Sequence, residues 1–167
     1  GNLGGLSGAD AKCQSLANTQ SIGGSWKAWI SDSSGSASSH LYHSGSSYKL
    51  LNGTTIANSW TDLTDGFILS PINLNESGSS GSGSVWTNTA FNGLLASSNH
   101  CSNWGVSLST YVGYYGLATY TNQNWTLSSG TTCNNSLRLY CFEQPVVSDA
   151  PQNLATATSS QTVYLTW

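Results

Sequence analysis

The chain has 167 residues, of which only 7% are Asp, Glu, Lys or Arg, and a formal net charge of -3. Four basic residues leave no electrostatic footprint for nucleic acid or an anionic membrane, and no apolar run reaches the roughly eighteen residues a bilayer span needs, so neither nucleic-acid binding nor membrane insertion is expected. Ser, Thr, Asn and Gly must cover the surface, while seven Trp and eight Tyr are too many for a disordered Ser/Gly chain and predict a core with aromatics left over.

In chain order, Ser7 opens a short helix with Asp10 three residues on to complete a capping box, and Ala9, Cys13, Leu16 and Ala17 share its inner face. Gly23-Gly24 ends that unit. A strand follows at Trp26-Lys27-Ala28-Trp29-Ile30, with Trp26, Ala28 and Ile30 on one side. Ser31 to Ser39 is a polar loop leading to half a helical turn at His40-Leu41. Tyr48 to Leu51 and Thr54 to Ile56 flank Asn52-Gly53, a dipeptide suited to positive φ, and predict a small hairpin. Asn58 or Ser59 caps a second short helix through Trp60 and Leu63, stopped at Gly66, and Phe67-Ile68-Leu69 reads as a brief strand.

Residues Ser77 to Ser84 are only Ser and Gly, a flexible excursion. Val85-Trp86-Thr87 restores strand character, Asn92-Gly93 marks a turn, and Cys101-Ser102-Asn103-Trp104 begins a long segment rich in Tyr. The strongest strand is Leu137 to Phe142, with Leu137, Leu139 and Cys141 on one face and Arg138, Tyr140 and Phe142 on the other. After Gln144 the composition changes at Pro145, Asp149 and Pro151, so 145–150 reads as a linker. Pro151-Gln152-Asn153-Leu154 and Thr162 to Trp167 read as two strands of a further unit.

Four cysteines without a CxxC pair, and no methionine, suit disulfides in an oxidising exterior better than a zinc site, and three pairings are open. The sequence contains no signal-peptide pattern, and residue 1 is read as the start of a mature or trimmed fragment.

The order of these pieces resembles the endostatin-like branch of the C-type-lectin-like fold, the branch that includes bacterial surface domains. The matching stretches are Gly8 to Cys13, Gly24 to Ser31, Ser59 to Leu63, Ser84-Val85-Trp86, Asn92-Gly93, Cys101 to Trp104 and Leu139 to Glu143. The resemblance covers 1–144 and implies an α+β fold with two short helices, a mixed and mostly antiparallel sheet, long loops and nested disulfides, Cys13 with Cys141 and Cys101 with Cys133. Residues 151–167 resemble the first strands of a fibronectin type III domain, incomplete at this length.

The family's calcium-dependent sugar motifs need paired carboxylates and amides, and neither motif is here; Ser102-Asn103-Trp104-Gly105 has no acidic partner. The endostatin histidine cluster and heparin-binding arginines are also missing, so no metal and no cofactor is expected. His40, His43 and His100 lack a neighbouring carboxylate or free cysteine, and His40 and His43 read as solvent-facing. Asp62 and Asp65 read as turn and capping residues, and no nucleophile, acid and base fall together, so no enzyme is expected. Asn52, Asn75, Asn124 and Asn134 begin sequons for glycosylation.

Amphipathic aromatics spaced by small polar residues are what binding loops use. Trp104, Tyr111, Tyr114, Tyr115, Tyr120 and Trp125 are therefore the candidate ligand-binding residues. The expectation is an extracellular or cell-surface module that binds a glycan or protein ligand through long loops. The alternative is a fibre subunit that self-associates through strands of 151–167.

Overall fold

The computed structural model describes residues 1–145 and 160–166. They form an α+β fold with few helices and two sheets. Helix α1 (Gly5–Thr19) is followed by β1 (Ser25–Ala28), α2 (Ala37–His40), β2 (Tyr48–Leu50), β3 (Thr55–Ala57) and α3 (Trp60–Leu63). Then come β4 (Ser84–Trp86), β5 (Val112–Leu117), β6 (Ser129–Thr132), β7 (Tyr140–Gln144) and β8 (Gln161–Leu165). Five strands form one mixed sheet in the order β1-β7-β8-β2-β3, and β4-β5-β6 form a second, antiparallel one. Among the described residues no helix is long and apolar enough to cross a membrane.

The period of two along the strands sorts the core into two clusters, one on each face of the larger sheet. Leu139 and Cys141 pack with Trp26, Ala28 and Ile30 against Ala9, Cys13 and Ala17 of α1. Tyr140, Phe142 and Trp29 face the other way, toward Tyr48, Leu63 and Trp125. Just before β7 the chain leaves this sheet: Arg138 bridges Val85 in parallel, and its carbonyl accepts the Trp86 N–H. One run of residues thus stitches the two sheets together. Both disulfides have the nested pairing, Cys13–Cys141 tying α1 to β7 and Cys101–Cys133 closing the loop inside it.

Several local expectations change. Helix α1 starts at Gly5 after Gly4, with no side-chain cap. Asp10 serves elsewhere, its carboxylate accepting the Ala28 N–H and meeting His40 Nε2, both at 2.9 Å. With Gln14 Oε1 accepting the Trp26 N–H, α1 satisfies the outer edge of β1, a row of donors that otherwise invites another chain. His40 is accordingly mostly buried, with 17% of its side chain exposed, and not solvent-facing. His43 is exposed but stacks on Trp60 at 3.8 Å between ring centroids.

The hairpin forms as expected, Gly53 taking φ 85° and Asn52 Oδ1 accepting the Thr54 N–H. Ser59 caps α3, and Asp62 and Asp65 accept nearby backbone N–H groups. Phe67 to Leu69 is not a strand: only Ile68 turns inward, and the Leu69 N–H caps the edge of β3 at Ile56. The Ser/Gly stretch is organised around Asn75, whose buried side-chain oxygen accepts from Ser77 and Ser79.

The largest change lies at the end of the chain. Residues 161–165, assigned by sequence to a separate module, are β8 in the middle of the larger sheet, antiparallel to β7 and parallel to β2. Val163, Tyr164 and Leu165 are each fully buried, and the Tyr164 hydroxyl donates to the carbonyl of Cys13. A strand with apolar residues on both faces belongs inside a sheet covered on both sides, and here the domain supplies that position. The remainder of the linker and the expected strand at 151–154 lie outside the described residues.

Between the sheets runs a buried chain of hydroxyls. Trp29 Nε1 donates to Thr126 Oγ1 at 2.7 Å, and Thr126 Oγ1 donates to the Thr89 carbonyl at 2.8 Å. Thr87 Oγ1 donates to the Thr126 carbonyl and Thr89 Oγ1 to the Thr87 carbonyl. Because the single Thr89 hydroxyl proton is thereby used, Ser31 Oγ is the donor in its 2.8 Å contact with Thr89, while it accepts from the Ala37 N–H. Buried phenols add fixed donors: Tyr140 bonds to the Trp125 carbonyl and Tyr48 to that of Tyr42. Burial raises the Tyr48 pKa to about 12, so it stays protonated throughout the physiological range.

Thr126→Val keeps shape but leaves the Trp29 indole N–H and the Thr89 carbonyl without partners. It should cost about 2 to 4 kcal/mol, as expected for two buried groups left unpaired. Thr126→Ser keeps both bonds and should cost less than half as much, read from urea unfolding midpoints at constant m-value.

Candidate cleft beside the left-handed turn

None of residues 101–104 is glycine, yet Cys101, Ser102, Asn103 and Trp104 all take φ between 52° and 55°. They form one turn of left-handed helix, a conformation costing about 1 to 2 kcal/mol per L-residue. Its surroundings hold it. Cys101 is bonded to Cys133, and the Trp104 carbonyl accepts from the N–H groups of Leu3 and Gly4. Trp104 Nε1 donates to the Ser31 carbonyl at 3.0 Å. Asn103 Oδ1 accepts from the Ser33 hydroxyl at 2.7 Å, and the Asn103 N–H donates to His100 Nδ1 at 2.8 Å. Strained backbone that the fold over-determines in this way is a pointer to function.

Beside this turn lies a cleft of about 300 Å³, with residues 98–102 on one wall and 110–112 on the other. The walls are fixed to each other, since His100 and Gly113 form an antiparallel bridge and Cys133 N–H donates to the Tyr111 carbonyl at 2.9 Å. Asn88, buried with φ 45°, donates from Nδ2 to the Ser97 carbonyl and steadies the approach to the first wall. Gly113 makes the close approach possible. A Cβ there would lie 2.7 Å from Cys101 Sγ and 3.0 and 3.1 Å from the rings of Trp86 and Trp104.

No side chain lining the cleft is Asp, Glu, Lys or Arg. It offers hydroxyls from Ser98, Ser102 and Thr110, the Asn99 amide, the His100 imidazole and the Tyr111 phenol. The Asn103 bond occupies His100 Nδ1 as an acceptor, so the neutral ring carries its proton on Nε2. Among the described residues no three His, Cys, Asp or Glu side chains gather as a cation site. This arrangement can orient a neutral polar ligand and press it against an aromatic ring.

The six aromatics expected to bind ligand do not form one surface. Trp104 and Trp125 are fully buried, each in one of the two core clusters, and cannot touch a ligand. Tyr115 packs half-buried against the cluster containing Trp86, while half-buried Tyr114 lies near Gly130 of β6. Tyr111 and Tyr120 are exposed, at 45% and 43%, but flank opposite ends of β5. Only Tyr111 meets the cleft. Of its other polar residues, Ser98, Asn99, Ser102 and Thr110 are types in which this chain abounds and nothing in the sequence marks them, while the sequence marks His100 only as a histidine without metal partners.

The sequons also divide. Asn52 and Asn134 are exposed; Asn75 is buried, and Asn124 is half-buried beside fully buried Trp125 and Thr126. Two of the four are thus exposed, Asn124 is partly so, and Asn75 is not.

Residues 1–121 match the model of a family described as Protein of unknown function (DUF1554). The chain belongs to that family. The region shared with the DUF1554 family carries both walls of the cleft and stops before Cys133, β7 and β8. No curated protein matches the sequence.

Gly113→Ala forces a methyl group against the inner disulfide and two packed indoles, none of which can swing aside. The substitution should destabilise the fold by about 1 to 3 kcal/mol, the range for overpacking a filled core, measured as a lowered urea midpoint.

Proposed function

We propose that this protein is an extracellular or cell-surface binding module, acting by recognition and not by catalysis, whose glycan or protein ligand enters the cleft between 98–102 and 110–112. The observation that carries the reading is the cleft itself: uncharged, rigid, edged by an exposed tyrosine and built on backbone strained away from its preferred region. Two disulfides favour an oxidising compartment. The C-type-lectin-like, endostatin-like reading of the fold draws support from the α+β architecture and from α1 being joined to β7 by the outer bridge. The fibre reading requires a strand free for a neighbour, whereas β8 is hydrogen-bonded on both sides within its own chain, which weighs against it.

A glycan and protein array probed with the wild type, Tyr111→Ser and Tyr120→Ser tests this surface. Binding should be lost with Tyr111→Ser and kept with Tyr120→Ser, both exposed positions where the fold should tolerate the change. Binding that survives Tyr111→Ser unaltered rules out the cleft.

A further inference from the structure

We infer that the cleft takes a neutral, hydroxyl-rich ligand, a saccharide residue, and holds it without a metal ion. This rests on the reading of the cleft as the binding site and names what occupies it.

The argument is one of chemical matching. An anionic ligand such as a phosphate calls for Arg or Lys, and a bound cation calls for several carboxylates; the cleft lining contains neither. A wholly apolar ligand calls for a mostly hydrophobic wall, and here the aliphatic lining is Val112 alone. What remains is a set of groups that both donate and accept: three hydroxyls, the Asn99 amide and the phenol of Tyr111. His100 is fixed by Asn103 to present an Nε2 donor. A sugar ring has the complementary composition, with hydroxyls around its rim and an apolar C–H face that can lie on an aromatic ring.

Tyr111 suits that stacking role. Its side chain is 45% exposed, while its backbone is pinned by bonds to Leu108 and Cys133, so little freedom is lost on binding. A peptide is also neutral, but peptides commonly bind by adding a strand. The strand edge beside the cleft is already taken: His100 bridges Gly113, and Val112 and Gly113 pair with Thr132 and Thr131 of β6. The cleft offers side chains, which suits a ligand without a backbone of its own to pair.

The test is a titration of the isotopically labelled full chain, followed by amide shifts in NMR. The probes are a panel of neutral mono- and disaccharides, with a sialylated sugar and a neutral tripeptide in parallel, each with and without EDTA. At least one neutral saccharide should shift the amides of 98–102 and 110–113 at millimolar concentration, unaffected by EDTA. Tyr111→Ser should weaken this about tenfold, and Tyr111→Phe, which keeps the ring and loses only the phenol's hydrogen bond, by no more than about threefold. His100→Asn keeps an acceptor for the Asn103 N–H but removes the imidazole Nε2, and should weaken binding about fivefold. The inference is overturned if no neutral saccharide moves the cleft amides, if only the anionic sugar or the peptide does, or if EDTA abolishes the shifts. Should an array protein bind through Tyr111 while the saccharides leave the cleft unmoved, the binding reading stands and the saccharide falls.

Discussion

The burial of Trp104 is the constraint on which both the fold and the cleft depend. Its indole is wholly buried against Trp86, with ring centroids 5.5 Å apart, and its N–H reaches the Ser31 carbonyl. Three residues earlier Cys101 must meet Cys133. Left-handed winding turns Cys101 and Trp104 inward while Ser102 and Asn103 remain exposed. Its cost, on the order of 4 to 8 kcal/mol for four residues, has to be met by tertiary contacts. A disulfide closing a loop of this length contributes about 3 to 4 kcal/mol in the chain-entropy model, and a buried large apolar side chain roughly 2 to 3 kcal/mol more. Glycine would remove the strain and, with it, the side chains that make the turn worth forming.

Strand alternation was the readable part of this molecule. The run from Leu137 to Phe142 announces a strand with two apolar faces, and the structure places those faces in different core clusters. Trp26, Ala28 and Ile30 behave in the same way, as do the Asn52-Gly53 turn and the Ser59 cap. Each is a local rule satisfied locally. Asp10 fails that test: its position suggests a helix cap, but its partners lie on β1 and α2, eighteen and thirty residues away. Phe67 to Leu69 fails for a related reason, since three apolar letters carry no information about which of them the core will take.

The aromatics show a deeper limit. A tyrosine or tryptophan among small polar residues serves equally as a half-polar core residue or as a contact on the surface, and its sequence surroundings are the same in either case. What separates them is tertiary: Trp125 packs against Trp29 and Tyr140 in the core, whereas Tyr111 stands exposed just ahead of β5. The cleft's polar lining is hidden for another reason. Ser98, Asn99, Ser102 and Thr110 stand in a chain where such residues cover most of the surface, so nothing in their identity separates them from their neighbours. What distinguishes them is position, fixed by the left-handed turn, and no glycine or proline in 101–104 signals that turn.

The end of the chain separates the frame of the fold from the part that carries the cleft. A Pro-containing stretch marks a solvent-exposed connection, but composition says nothing about where the strand beyond it will dock. In this molecule it docks at the centre: without β8, β1 and β7 would have no hydrogen-bonded link to β2 and β3. Its side chains divide as those of β7 do, Val163 and Leu165 to one cluster and Tyr164 to the other. The cleft draws instead on the smaller sheet, through Val112 of β5, and on the turn at 101–104. The larger sheet with α1 therefore acts as the frame, and the smaller one carries one wall of the cleft. Arg138, the Trp104 indole and the hydroxyl chain at Ser31 hold the two together. Changes in the frame should thus be felt at the cleft through those junctions, whereas the chemistry of the cleft can vary without disturbing the frame.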